Sequence, residues 1–168
     1  MRFETTEVAA ERQADAVVAL AKQSEAGATI VRGDQESALW ADHDRRPWAR
    51  DGAVIKITLL PAAIAPTLRW IDEIIGGRDY DVIGRAGVGV LVARVGGDVE
   101  EQARVIDGLR ERLRAPAGSA VLVRGTDELA ARVNPWGPIG DGFAVMRAIK
   151  RQFDPRDILN PGRGPGGL

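Results

Sequence analysis

Apolar and polar residues follow strand and helix periods along the middle of the chain. A two-residue alternation is best developed where Ile55 and Ile57 face one side of a strand whose other side is mixed. Strands are predicted at residues 53–60, 80–84, 88–95 and 119–124. Two helical stripes lie between them, one beginning at Pro61 and the other capped by Asp98. The order β-α-β-β-α-β over residues 53–124 predicts a ferredoxin-like split βαβ arrangement, an antiparallel sheet with helices packed on one face.

Both flanks of this core predict further elements. In the first third we expect strands at 1–7 and 28–32, a helix at 8–23, helical turns at 34–39 and a loop at 41–52. In the last third we expect a helix at 126–133, a turn at 134–138 and a helix that Asp141 caps, with an apolar stripe of Phe143, Met146, Ile149 and Phe153. The tail, rich in glycine and proline, would by itself be flexible. The fold class is therefore α+β, and we expect one domain over residues 1–168.

Composition excludes several classes of function. The 23 basic and 24 acidic side chains give a formal charge of −1, which argues against binding to nucleic acid or to an anionic membrane. The absence of cysteine excludes disulfides, thiolate metal sites and cysteine nucleophiles, and with His43 as the one histidine we expect no metal site. No run of about 18 apolar residues occurs, so we expect a cytoplasmic chain without a transmembrane segment.

The segment Gly84–Gly89 (GRAGVG) has the glycine content of a nucleotide-binding loop but the wrong context. A dinucleotide loop needs a helix N-terminus after it, whereas a strand is predicted here. The alternative is a glycine-rich hairpin, or a position where another backbone approaches closely.

Arginines beside tryptophans are better candidates for ligand binding. Arg45, Arg46 and Arg50 lie near Trp40 and Trp48 in the sequence, and guanidinium groups bind carboxylates through paired hydrogen bonds. The alternative is that their stems pack over the tryptophan rings. His43, flanked by aspartates, is either a general base or part of a solvated surface. Trp136, in a turn, packs either into its own core or against a partner domain.

The C-terminal stretch resembles a known family. The residues concerned are VNPWG at 133–137, VMRAIK at 145–150, FDP at 153–155 and ILNPGRG at 158–164. They look like the closing segment of FAD-linked oxidases of the vanillyl-alcohol-oxidase type, closest to the GlcE-like subunit of glycolate oxidase. Residues 50–61 and 83–86 fit the same subunit more loosely, so the resemblance extends over the entire chain.

This resemblance implies a cap, or substrate, domain whose antiparallel sheet covers the substrate side of FAD. In such flavoproteins an N-terminal domain holds the FAD, and this sequence lacks the glycine-rich segment expected there. The implied reaction is oxidation of a small 2-hydroxy acid such as glycolate, with hydride passing to the flavin. We expect the chain alone to be inactive and not to hold FAD. Residues 134–168 are expected to face the absent FAD-binding domain.

The resemblance also implies roles for individual residues and partners. The cofactor-binding candidates are Asn160, Pro161, Gly162 and Arg163, with Asn160 at the flavin edge and Arg163 on a phosphate or carboxylate; the alternative is a turn that pins the tail. The substrate-binding candidates are Arg45, Arg50, Arg85 and Trp136.

No catalytic residue is identified, because the Glu-His-Gly run and the metal-binding histidines of related dehydrogenases are missing. Partner subunits of a glycolate oxidase complex are expected, with peripheral membrane association through them.

Two other functions remain open. One is a stand-alone ferredoxin-like module for ligand binding or assembly, which would work without a flavin domain. The other is a non-catalytic structural subunit whose tail, residues 160–168, docks on a partner.

Overall fold

The computed structural model of the chain describes residues 2–3, 5–77, 79–114 and 117–168. Its backbone divides into two compact units, one up to His43 and the other from Asp44 to Leu168. That both units belong to one cap domain stays a prediction.

Helices make up the regular structure of the first unit. Helix α1 spans Glu7–Gln23, which confirms the predicted helix, and α2 spans Asp34–Arg45. The two strands predicted here are wrong: the described residues before Glu7 and those at 28–32 form none, and Met1 and Glu4 lie outside the described residues. Such short apolar runs are strands only where a neighbouring strand pairs with them, and the four-stranded sheet of the described residues includes neither stretch. No described residue up to His43 is buried.

The predicted loop at 41–52 is partly helical. Helix α2 continues to Arg45, well beyond the helical turns predicted at 34–39, and a 3₁₀ turn follows at Arg46–Trp48. Pro47 carries no amide proton, so the α-helical ladder cannot continue through it. The remaining residues up to Gly52 form bends that lead into the first strand.

The second unit is built on one antiparallel sheet. Its strands are β1 (Ala53–Leu59), β2 (Tyr80–Arg85), β3 (Val90–Val95) and β4 (Gly118–Arg124). They are ordered β2-β3-β1-β4, and each neighbouring pair is antiparallel. With helices between β1 and β2 and between β3 and β4, this is the predicted ferredoxin-like arrangement, and the α+β fold class is confirmed.

Helices α3 (Ile64–Ile75) and α4 (Val99–Arg112) supply the other side of the core. Ile55 and Ile57 of β1 are completely buried against side chains such as Ile106 and Leu109 of α4. Asp98 caps α4 as predicted: its carboxylate accepts from the Glu101 amide at 2.8 Å. The other face of the sheet therefore carries the residues that alternate with the core positions.

Two more helices follow the sheet. Thr126 caps α5 (Asp127–Val133) through a hydrogen bond from the Leu129 amide. Helix α6 (Phe143–Phe153) has Gly142 at its N-cap position and no side-chain cap, so the predicted cap by Asp141 is wrong. The backbone enters the helix one residue after Asp141, which leaves that carboxylate outside the N-cap position.

Candidate functional site

The apolar stripe of α6 lies on the surface rather than in the core. We define the C-terminal apolar surface as the exposed large apolar side chains of α6 and the segment after it, namely Val145, Met146, Ile149, Phe153, Ile158 and Leu159. Phe153 is 79% exposed, and no residue of α6 is buried. Several large apolar groups on one helix and its following loop are uncommon on a folded monomer and mark a surface for interaction.

Asp154 organises the loop that follows α6. Its carboxylate accepts hydrogen bonds from the amides of Ile158 at 3.0 Å and Leu159 at 2.9 Å, and from Lys150 Nζ at 2.5 Å. The Asp154 side chain is buried, unlike the apolar side chains around it. The Lys150 hydrogen bond, aided by the two amides, lowers the pKa of Asp154 to about 2.

Lys150 contacts two further oxygen atoms of the same loop. Its ammonium donates to the Leu159 carbonyl at 2.6 Å and lies 3.0 Å from the Asp157 carboxylate. The hydrogen bond to Asp154 is the largest cause that raises the pKa of Lys150. Charged hydrogen bonds of Lys150 and Asp154 therefore hold Ile158 and Leu159 beside α6, although these two side chains are themselves exposed.

Trp136 connects the turn at residues 134–138, the NPWGP turn, to the tail. Its indole Nε1 donates to the Arg163 carbonyl at 2.9 Å. The Arg163 amide in turn donates to the Asn160 carbonyl at 3.1 Å, so residues 160–163 form a tight turn. Three predicted site residues, Trp136, Asn160 and Arg163, are thus brought together. The side chains of Asn160 and Arg163 are exposed at this turn, and their contact with a cofactor stays a prediction.

Beyond this turn the tail folds back on itself. The Gly164 amide donates to the Leu168 carbonyl at 2.6 Å. A Cβ on Gly166 would lie 2.6 Å from side-chain atoms of Ile139 and Phe143. The glycine- and proline-rich terminus is therefore held by contacts that its composition alone does not indicate.

Arg110 holds the other end of the NPWGP turn. Its guanidinium, reaching from α4, donates to the carbonyls of Ala120, Val133, Asn134 and Pro135. Burial lowers the pKa of Arg110. This arginine, which sequence reasoning missed, connects α4, β4 and the turn that carries Trp136.

The remaining predicted substrate-binding residues lie elsewhere. The Arg50 guanidinium contacts Asp79 at 2.5 Å and Asp81 at 2.7 Å, and the hydrogen bond to Asp81 raises its pKa. Arg45 is the exposed last residue of α2, and Arg85 is the exposed last residue of β2. Arg50 contacts Asp81 near the start of β2, whereas Arg85 ends that strand, so the predicted substrate-binding arginines do not form one cluster.

Arg50 belongs to a larger ion-pair group at the β2 edge. Arg94, completely buried, donates to Asp81 at 2.8 Å and to the Asp51 carbonyl at 3.0 Å. One terminal nitrogen lies 2.7 Å from Asp79 as an ion pair without hydrogen-bond geometry. The Arg94 hydrogen bond is the largest cause that lowers the pKa of Asp81. Arg50 thus has both carboxylates as partners before any ligand arrives.

The glycine-rich segment 84–89 is a hairpin connection with a close backbone approach. A 3₁₀ turn at Ala86–Val88 joins β2 to β3, as the hairpin alternative predicted. Gly89 has φ +65°, and a Cβ on it would lie 1.8 Å from the Leu59 carbonyl oxygen. Because Leu59 occupies that space, this segment offers no cradle for a phosphate.

Comparison with known proteins matches one segment of the chain. Residues 138–163 match the model of the family described as FAD linked oxidases, C-terminal domain. This match covers α6, the Asp154 loop and the Asn160–Arg163 turn, and it supports the resemblance to FAD-linked oxidases for that segment. No curated protein and no solved structure matches the chain.

The described residues contain neither a cluster of metal ligands nor a membrane-spanning helix. Across residues 2–3, 5–77, 79–114 and 117–168, no group of three or more His, Cys, Asp or Glu side chains could hold a metal ion. Nor does that part of the chain contain a helix long and apolar enough to cross a membrane.

Proposed function

We propose that this chain is the cap region of an FAD-linked oxidase that acts on small 2-hydroxy acids such as glycolate. Within that family, we propose that it corresponds to the GlcE-like subunit of glycolate oxidase. One observation carries the proposal. The segment that matches the FAD-linked oxidase model, residues 138–163, is also the segment that exposes the C-terminal apolar surface. A matched segment with its apolar side chains uncovered is typical of a domain that functions against another domain.

The proposed partner is an FAD-binding domain, which the family description itself implies. The Asp154 network supports this, because it holds Ile158 and Leu159 in place and so limits the conformational entropy lost on docking. The exposed basic residues Arg147, Arg151 and Arg156 are interspersed along the same segment as the exposed apolar residues. Such a mixture of apolar and arginine side chains is common in protein–protein interfaces.

The residues of this chain fit contact with the edge of FAD rather than binding of its pyrophosphate. The exposed amide of Asn160 suits the flavin edge, and the exposed guanidinium of Arg163 suits a phosphate or carboxylate. When bound, FAD supplies the acceptor for two electrons and a hydride. We expect the isolated chain neither to retain FAD nor to oxidise substrate, and we place the assembled enzyme in the cytoplasm, with partner subunits that can attach it to a membrane.

The test is reconstitution with the FAD-binding domain of an FAD-linked oxidase from the same organism. The full chain is co-purified with that domain, and three quantities are measured: the dissociation constant, retained flavin absorbance, and anaerobic loss of that absorbance on adding glycolate. We expect Ile149→Glu to weaken docking about tenfold or more, because a carboxylate would be buried in an apolar contact.

Val8→Glu is the matched control. Val8 is 62% exposed and Ile149 is 54% exposed, but Val8 lies on α1, outside the matched segment. Absence of docking, or equal docking by both variants, would contradict the proposal. Glycolate binding by a chain that docks with no flavin domain would favour a stand-alone ligand-binding module.

A further inference from the structure

A groove lies between α3 and α4, outside the segment that matches FAD-linked oxidases. Its volume is about 510 Å³, and small-molecule sites usually measure about 300–1,000 Å³. Helix α3 contributes the half-buried Trp70 and Ile74, and α4 contributes Gly108 and the exposed Arg104. The groove therefore combines an aromatic ring, an aliphatic side chain and a guanidinium, which are groups that bind small organic ligands.

Contacts with α4 hold the ring of Trp70 in place. A Cβ on Gly108 would lie 2.7 Å from the ring atoms Cζ2 and Cη2, so the indole needs a glycine at this position. Glycine is unfavourable inside a helix, and here the space that it leaves is filled by the ring. The Arg112 guanidinium lies 5.7 Å from the ring centroid, within the range of a cation–π contact. Trp70 is therefore fixed, while part of its surface lines the groove.

The charged side chains of the groove differ in whether they already have partners. Its three carboxylates are paired, through Arg132 with Glu100 at 3.8 Å and with Asp107 at 3.6 Å, and through Arg114 with Glu111 at 3.1 Å. Arg104 has no carboxylate within ion-pair distance among residues 2–3, 5–77, 79–114 and 117–168. The guanidinium of Arg104 is therefore the charge of this groove that is left for a ligand.

We infer that the groove between α3 and α4 binds a small aromatic carboxylate, with its ring against Trp70 and Ile74 and its carboxylate on Arg104. Two aromatic rings in contact gain more than their buried area alone provides. A guanidinium donates two parallel hydrogen bonds to a carboxylate, which fixes the orientation of the ligand as well as its charge. This inference does not rest on the proposed function, because none of the residues that carry it lies within residues 138–163.

The test is a titration of the full isotope-labelled chain with benzoate, followed by amide and indole chemical shifts. We expect saturable shifts at the Trp70 indole and at the amides of residues 104–108. Cyclohexanecarboxylate lacks the aromatic ring and benzyl alcohol lacks the charge, so each should bind at least severalfold more weakly than benzoate. Benzylammonium, which carries the opposite charge, should bind most weakly of the four.

Two variants test the residues separately. Arg104→Gln should weaken benzoate binding about tenfold or more, because it removes the charge and the paired donors. Arg69→Gln is the charge-matched control and should bind like the parent, since Arg69 is exposed, adjoins Trp70 in the chain and is not among the residues that line the groove. Gly108→Ala should weaken binding severalfold by displacing the Trp70 ring, while circular dichroism shows no loss of helix, because alanine favours the helix.

Three results would overturn this inference. The first is a set of shifts that do not saturate or that lie away from the groove, and the second is equal affinity of the Arg104→Gln and Arg69→Gln variants for benzoate. The third is tighter binding of benzylammonium than of benzoate, which would mean that the carboxylates of the groove select the ligand. Because the titration needs no flavin domain, its failure is separate from a failure of the proposed function.

Discussion

Asp154 and Lys150 form a short hydrogen bond, 2.5 Å from Nζ to Oδ2, across one turn at the end of α6. The same Asp154 carboxylate receives the amides of Ile158 and Leu159, so a single side chain sets the path of the chain from the helix to the tail. The stretch that matches FAD-linked oxidases therefore has its own internal support, independent of the sheet.

Asp154→Asn should loosen this loop. The amide keeps the shape of the side chain but loses the charge, and its NH₂ group cannot accept. We expect hydrogen exchange at the Ile158 and Leu159 amides to become about tenfold faster or more, since bonds to charged groups are the stronger ones. Asp157→Asn is the control, because the Asp157 side chain is exposed and Lys150 is its one partner among the described side-chain contacts. Equal exchange rates in both variants would show that Asp154 does not organise the loop.

The loop should also respond to acid in a defined direction. The pKa of Asp154 is lowered from 3.8 to about 2 in the folded chain, so its contribution to stability is present above 3.8. As the pH falls from 3.8 towards 2, that contribution is progressively lost, because Asp154 takes up its proton in the unfolded state before it does so in the folded state. We expect the Ile158 and Leu159 amide shifts of the folded chain to titrate near pH 2 and to lose that titration in Asp154→Asn. Unchanged titration in the variant would assign the transition to another carboxylate.

Gly89→Ala should be strongly destabilising. Its φ of +65° disfavours any side chain, and the new Cβ would lie 1.8 Å from the Leu59 carbonyl oxygen. We expect a loss of more than about 2 kcal/mol in the free energy of unfolding, measured by urea denaturation. Gly87→Ala, in the same turn, has open space and no positive φ, so it should change stability by less than about 0.5 kcal/mol. A similar loss in both variants would contradict the close approach.

Arg110→Met should destabilise the turn that carries Trp136. The substitution leaves four backbone carbonyls without their shared donor, at an expected cost of about 2–3 kcal/mol in thermal or urea unfolding. Arg114→Met is the control: Arg114 is exposed and pairs only with Glu111 in the contacts described, so its loss should cost under about 0.5 kcal/mol. Indole fluorescence is expected to change in Arg110→Met, because the turn that positions Trp136 is released.

Periodicity and capping were sufficient to predict the sheet and its two covering helices. The order β-α-β-β-α-β allows few unknotted arrangements, and Asp98 with Glu101 marks the start of α4 at the sequence level. The same signals did not predict the side-chain networks. Arg50 and Asp81 are 31 positions apart in the chain, and Arg110 meets carbonyls 10 to 25 positions away, so no local pattern indicates these pairs. Lys150 and Asp154 are the exception: Asp154 directly follows α6 and lies four positions after Lys150, a spacing that by itself favours contact.

Periodicity also does not distinguish a helix that packs from a helix that docks. The stripes of α4 and α6 have the same helical spacing, yet Ile106 and Leu109 are completely buried while Ile149 and Phe153 are exposed. What differs is whether another element of this chain lies opposite. An amphipathic pattern predicts an apolar contact but not which molecule provides it.

Phe153→Ser tests that distinction in the chain by itself. Because Phe153 is 79% exposed, we expect its removal to change the free energy of unfolding by less than about 0.5 kcal/mol. Leu109→Ala, at a fully buried position, should cost about 2–5 kcal/mol. In the reconstitution with an FAD-binding domain, we expect the opposite order of effects on docking affinity. A Leu109→Ala chain that still folds should dock normally, whereas the Phe153→Ser chain should dock more weakly. A loss above about 2 kcal/mol for Phe153→Ser in the free chain would mean that the chain itself covers this face, which would remove the basis for assigning it to a partner.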